Sequence, residues 1–328
     1  MAPEEKLMQR AMDLIEKRGQ KAVEKSRQLA RQENTEYGPL NEAIKYFMEE
    51  FWFDFLHPAL ISLACEAVGG TAEEATDIGA ALVLLAGAAD LHDDIIDESK
   101  IKEPFQTVYG KFGRDIAVLS GDVLLLKGLF VLSEGLKPFS KDKEKLVLES
   151  VRQAFLELCG GEARETDWRR KMEISTTDYL EIIKQKSAGS EAATRIGAIL
   201  GGGTAREVEI LAHYGRTFGI LLTLRNEFID VFEPNELRNR LKKECLPLPV
   251  LIAFHDETRK SKILQLLKKE LTAKNVEIIL DLSLDFKESR LLVEDMKSWV
   301  ENEISLISAI PNCQKDLKFL LQAALEDI

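Results

Sequence analysis

Residues 72–97 read AEEATDIGAALVLLAGAADLHDDIID, and this stretch decides the fold class. Apolar side chains recur at three- and four-residue intervals from Ile78 to Leu91 with no strict alternation, which is the period of a helix rather than a strand. At roughly 100° per residue, Asp90, Asp93, Asp94 and Asp97 fall within about a quarter-turn of one another. Like charges crowded on one face of an otherwise apolar helix repel, which is costly unless cations neutralise them. Hard divalent ions with oxygen ligands, Mg²⁺ above all, suit such a face, particularly when they also hold substrate phosphates. On charge pattern alone the run also fits a solvated acidic helix end.

The same period extends through nearly the whole chain, so an all-α fold is predicted. Helices are expected over Pro3–Arg31, Glu42–Phe55, Pro58–Val68, Ala72–Asp97, Arg114–Glu134, Lys141–Trp168, Thr176–Leu200, Ala205–Val231 and Leu241–His255, with several short ones after it. Breaks fall at Gly69-Gly70, Pro104, Pro138, Gly201–Gly203 and Pro234, where Gly or Pro ends a helix. Helices of more than twenty residues imply one large bundle or barrel around a central space. No Ser/Gly-rich or Pro-rich linker interrupts the chain, so a single domain is expected over residues 1–328.

A formal net charge of -12 argues against nucleic acid, which needs clustered uncompensated Lys and Arg. An anionic substrate can still be held if carboxylates bind it through divalent cations. Cys65, Cys159, Cys245 and Cys313 form no C-x-x-C pair and read as buried free thiols. With no apolar leader at the N-terminus and no run of about 18 apolar residues, a cytoplasmic protein that is not integral to a membrane is expected.

A second acidic cluster, Asn226-Glu227-Phe228-Ile229-Asp230, again ends a long apolar helix and again shares one face. Alone it is ordinary surface chemistry. Paired with the first, it offers two carboxylate helices between which a diphosphate can be held through metal ions. At this point the chain resembles the trans-isoprenyl diphosphate synthases, or polyprenyl synthetases. Asp93-Asp94-x-x-Asp97 matches that family's first aspartate-rich motif, with His92 before it and Ile95-Ile96 within it. Thr107-Val108, Gly113, Gly121-Asp122, Tyr179-x-x-Ile182-x-x-x-Lys186-Ser187, Gly197-Ala198, Gly219 and Leu246-Pro247 follow in order, so the resemblance runs from about Pro58 to His255.

The resemblance implies an isoprenoid synthase fold around a central prenyl pocket, with residues 1–40 an N-terminal helix, 41–255 a catalytic core and 256–328 C-terminal helices. It also implies a homodimer that binds an allylic prenyl diphosphate through Mg²⁺, with three ions to a site. Carried over by position, Asp93 and Asp97 are principal metal ligands with Asp94 in support, and Asn226, Glu227 and Asp230 form the second side. Lys186 and Lys243 match lysines that contact the diphosphate, and Lys102 keeps one cation of a pair after the first motif. Departure of diphosphate leaves an allylic cation, so the leaving oxygens need metal ions and lysines, and water must be excluded.

The departures share a direction. Where the family carries Gly-Gly-Lys-Arg-x-Arg-Pro, this chain has Trp52-Phe53-Asp54-Phe55-Leu56-His57-Pro58, and the Arg-Arg pair becomes Lys102-Glu103. In the family those cations hold isopentenyl diphosphate, so its site has lost most of its charge. Asn226 and Thr223 also replace Asp and Gln of the second motif. The expectation is a prenyltransferase that ionises one allylic diphosphate and gives the cation to an acceptor, of unknown identity, other than a conventionally bound isopentenyl diphosphate. The alternatives are a terpene cyclase or diphosphate lyase, and a non-catalytic subunit of a heteromeric synthase. The aromatics Phe47, Phe51, Trp52, Phe53 and Phe55 line an acceptor pocket or pack as core. Ala88 and Ala89, one turn before Asp93, leave a long tail channel open, with Leu85 as the next floor.

Overall fold

The computed structural model describes residues 6–102, 104–169, 171, 174–229, 234, 237, 240 and 245–326. Its elements in the first half are α1 (Leu7–Arg31), α2 (Gly38–Tyr46), a π-helical turn (Phe47–Phe51), α3 (Leu56–Ala67) and α4 (Ala72–Ile96). A two-residue hairpin follows, β1 (Ile101–Lys102) and β2 (Phe105–Gln106), and then α5 (Val108–Phe112), α6 (Arg114–Leu136) and α7 (Lys141–Trp168). The second half has α8 (Thr176–Lys186), α9 (Ala188–Leu200), α10 (Ala205–Phe228) and α11 (Leu248–Ala253). It closes with α12 (Glu257–Leu267), α13 (Ala273–Leu284), α14 (Lys287–Ile307) and α15 (Gln314–Ala323). The all-α expectation holds: apart from the hairpin, the described elements are helices.

Internal packing divides the chain into two compact units. The first comprises Met1–Arg152, Ala192–Ala212 and Ile310–Asp316. Here α4 packs against α1, α3 and α6. The Gly69-Gly70 break forms as expected: Gly69 sits at φ 101°, a conformation that suits a residue without Cβ. The next helix starts on a capping box, in which Thr71 accepts from the Glu74 N–H and Glu74 accepts from the Thr71 N–H. Close approach of α6 to α4 depends on Gly128, where a Cβ would come within 2.8 Å of the Leu85 side chain.

One helix was expected over Glu42–Phe55, but the chain instead passes from α2 through the π turn into extended Trp52 (φ -127°, ψ 145°). The extra residue in the turn lets Phe47 stack on Trp52, with ring centroids 5.0 Å apart. Phe47 is fully buried, Phe51, Trp52 and Phe55 pack against the same apolar cluster, and Phe53 stays exposed. Most of this aromatic stretch is therefore core.

The second unit comprises Gln153–Glu191, His213–Ala309 and Leu317–Ile328. Around α10, the Tyr214 hydroxyl donates to the Leu317 carbonyl at 3.0 Å, and α11 packs against α8, α13 and α14. The expected helix Thr176–Leu200 breaks at Ser187, whose hydroxyl bonds back to the Ile183 carbonyl at 2.8 Å. The helices after His255 are not all short, since α14 has 21 residues.

By length and composition α4 and α6 could each cross a membrane, which the sequence reading had not anticipated. Most of that apolar length in α4 is buried within the protein, whereas α6 leaves more than half of it open. Of the thiols, Cys65 and Cys245 are buried as expected, Cys313 is partly covered and Cys159 is exposed.

Candidate active site

The last turns of α4 carry the first acidic motif, and burial sorts its members. Asp94 is 1% exposed, while Asp90, Asp93 and Asp97 are partly open. The β1 strand brings Lys102 back over them, its Nζ 3.0 Å from Asp90 Oδ1 and 2.9 Å from Asp94 Oδ1. Burial would lower Lys102, but the two carboxylates outweigh it and hold its ammonium well above the usual lysine range. Burial pushes the Asp94 carboxyl up to about 6; Lys102 counteracts this, and the charge of Asp90 adds to it. Asp90 Oδ2 and Asp94 Oδ2 are buried with no hydrogen-bond partner. Buried oxygens that lack a donor, on a face with more carboxylates than cations, are what a hard divalent ion requires of a protein. The residues present therefore fit Mg²⁺.

Beside the motif, His92 Nε2 lies 3.4 Å from Asp122 Oδ1 on α6. The Gly121-Asp122 pair makes this contact possible, because a Cβ at residue 121 would lie 2.4 Å from His92 Nε2. Along α4 toward its N-terminus, Ala88 is buried, Ala89 is exposed, and Leu85 is buried against Gly128. A Cβ at Gly87 would meet the Phe47 ring at 2.9 Å and Trp52 at 3.1 Å, so this small-residue stretch also serves packing.

At the site expected for the second substrate, Asp54 caps the start of α3, accepting from the N–H groups of Leu56 (2.9 Å) and His57 (3.2 Å). Its other oxygen lies 2.6 Å from His57 Nδ1. Burial alone would lower His57 and raise Asp54, but their mutual attraction wins: the imidazole is held above its ordinary range and the carboxyl below. The pair neutralises itself. Glu103 lies outside the described residues.

In the second unit, Lys186 ends α8 and is ion-paired with Glu162, at 3.3 Å, and more closely with Glu165, both on α7. Those acidic partners were missed in the sequence. Their i, i+3 spacing was visible, but the pairing with Lys186 is long-range. Asn226 is exposed at the end of α10, and Thr223 Oγ1 donates to the Gly219 carbonyl at 3.0 Å. Glu227 is 6% exposed and lies against Arg240, which the sequence reading also overlooked. Arg240 Nη2 is 2.9 and 3.1 Å from the two carboxylate oxygens, and the Leu248 N–H donates to Oε2 at 2.8 Å. Asp230 and Lys243 lie outside the described residues.

Residues 55–282 match the model of the polyprenyl synthetase family. A short chain isoprenyl diphosphate synthase of Methanothermobacter thermautotrophicus is 32% identical over 183 residues, 55% of this chain and 55% of that protein. The match to this relative thus spans about half of its length. A geranylgeranyl diphosphate synthase of Sulfolobus acidocaldarius is 25% identical over 81% of this chain and 84% of its own. Among solved structures, a geranylgeranyl pyrophosphate synthetase from Pyrococcus horikoshii superposes with a TM-score of 0.85 at 24% identity, covering 98% of both chains. The family match covers more than half of the sequence, including the acidic face of α4, and the chain belongs to the polyprenyl synthetase family.

Proposed function

We propose that this protein is a Mg²⁺-dependent prenyltransferase that ionises an allylic prenyl diphosphate at the acidic end of α4. The observation that carries the reading is the pair of buried, donor-less oxygens on Asp94, inside the motif that matches the family's, and on Asp90, one turn before it on the same helix. Asp93 and Asp97 would hold the metal, with Asp94 in support. When bound, Mg²⁺ draws charge from the leaving diphosphate oxygens. Lys102 supplies fixed positive charge for that anion and is already restrained by carboxylates that a diphosphate would displace. The apolar cluster around Ala88, Leu91 and Phe47 keeps water away from that end of α4.

The acceptor in this reading is not a conventionally bound isopentenyl diphosphate. Where the family places several cations, Asp54 and His57 satisfy each other and offer no net charge to a multiply charged group. The relatives named as geranylgeranyl and geranylfarnesyl diphosphate synthases are named for long prenyl diphosphates, which supports a deep tail pocket, consistent with alanines at residues 88 and 89. The test is incubation with Mg²⁺ and labelled farnesyl, geranylgeranyl and longer diphosphates, with and without isopentenyl diphosphate. Turnover of a long allylic substrate with no saturable use of isopentenyl diphosphate is expected. Normal chain elongation with a micromolar Michaelis constant for isopentenyl diphosphate contradicts it.

The protein acts as a homodimer on this reading. Leu119, Leu126, Leu129 and Phe130 stand 47–63% exposed along one side of α6, and Leu146 and Leu148 are exposed on α7. Large exposed apolar side chains gathered on one side of a helix, as on α6, mark an interface.

A further inference from the structure

Glu227 was expected to ligate metal, and its surroundings point elsewhere. A carboxylate offers about four acceptor positions. At Glu227 both oxygens face the Arg240 guanidinium, and one also accepts from the Leu248 N–H. Arg240 is itself 9% exposed and donates to the Tyr179 hydroxyl at 2.7 Å and to the Cys245 carbonyl at 2.9 Å. Tyr179 is buried and so retains its proton. The guanidinium is thus held on several sides, in van der Waals contact with the carboxylate that a metal would need. A divalent ion on the same oxygens would sit against a permanent cation in a low-dielectric setting, which is strongly unfavourable. Asn226 adds only a neutral amide. The described part of the second acidic motif does not fit a metal ion.

We propose that Arg240 is the fixed counter-cation of this half-site: it neutralises Glu227, so that Glu227 is a positioning residue rather than a metal ligand. The network ties the end of α10 to the Cys245–Leu248 segment leading into α11. The inference rests on the reading of the α4 motif as the metal site, and the two are separable by experiment. Bound Mn²⁺ would be counted by electron paramagnetic resonance on the full chain with inorganic pyrophosphate present. Comparison of wild type with Asp93→Asn tests the α4 site, and comparison with Glu227→Gln tests the inference.

The expected result is a Mn²⁺ dissociation constant raised about tenfold or more by Asp93→Asn, and for Glu227→Gln an unchanged ion count with an affinity within about threefold of wild type. Arg240→Gln should gain Mn²⁺ binding and a Mn²⁺-dependent rise in Tm, since the uncompensated Glu227 charge then needs a cation, whereas Arg240→Lys, which keeps the charge but loses part of the guanidinium's bonding, should melt lower without gaining Mn²⁺ binding. A role in packing alone would lower Tm in Arg240→Gln with no recovery on adding Mn²⁺, and this outcome overturns the proposal. So does a Glu227→Gln variant that loses an ion. If Glu227→Gln does not fold, the neutral pair Glu227→Gln with Arg240→Gln carries the same comparison: an unchanged ion count supports the proposal and a lower count overturns it. Unweakened binding in Asp93→Asn would count against the α4 site alone.

Discussion

At the residue scale, charge in this protein is decided by whether a carboxylate finds a cation of the chain's own. Asp54 has one in His57, and that pair carries a testable pH dependence. Because the folded His57 pKa is raised, its stabilisation is fully present below the unfolded value of 6.5 and is lost as pH rises through the folded value. Asp54, whose pKa is lowered, remains ionised across that window. Wild type should therefore exceed His57→Gln in Tm by about 1–2 °C at pH 6, the shift produced by roughly 1 kcal/mol in a chain of this size. The gap should close by pH 9. An equal gap at both values in thermal melts monitored by circular dichroism would show that His57 acts through packing. The sequence showed His57 only as a lost arginine. Its capture by Asp54 is short-range and could have been suspected, whereas the Arg240–Glu227 and Lys186–Glu165 pairings join residues beyond helix-turn spacing and follow no local rule.

At the element scale, α4 joins packing and chemistry in one helix. Ala88 is 1% exposed within the apolar cluster, so Ala88→Phe both overfills the core and raises the floor beneath the acidic motif. Overpacking costs about 1–3 kcal/mol. If the tail channel runs past Ala88, the variant shifts preference toward farnesyl or geranyl diphosphate. If the position only packs, Tm falls and the substrate order is unchanged. Relative turnover of the different tail lengths, measured beside Tm, separates the two. Thr71→Ala should cost about 1 kcal/mol by removing the capping box, without altering that order. The long helices α4, α6 and α7 were legible because their apolar period is uninterrupted and Gly or Pro punctuates their ends. The π turn, the break at Ser187 and the hairpin that delivers Lys102 were not, because each depends on packing or a single side-chain bond rather than on periodicity.

At the scale of the whole molecule, the open apolar side of α6 predicts self-association. Phe130→Asp, alone or with Leu126→Asp, should convert a dimer to a monomer in analytical ultracentrifugation with little change in helical circular dichroism; a wild type that sediments as a monomer would remove the homodimer from the account. The all-α fold and the acidic face of α4 were readable from sequence because each depends on local spacing. On the proposed role of Arg240, the second acidic motif could not be read in isolation, since an acidic residue near a helix end looks alike whether it awaits a metal or is already held by an arginine. The most direct test of the central claim is release of diphosphate from labelled geranylgeranyl diphosphate by wild type and Asp93→Ala, with Mg²⁺ and with a chelator. The account predicts release that requires Mg²⁺ and falls by at least about a hundredfold in the variant, the scale of lost leaving-group stabilisation. Near wild-type release by Asp93→Ala, or undiminished release in the chelator, would contradict it.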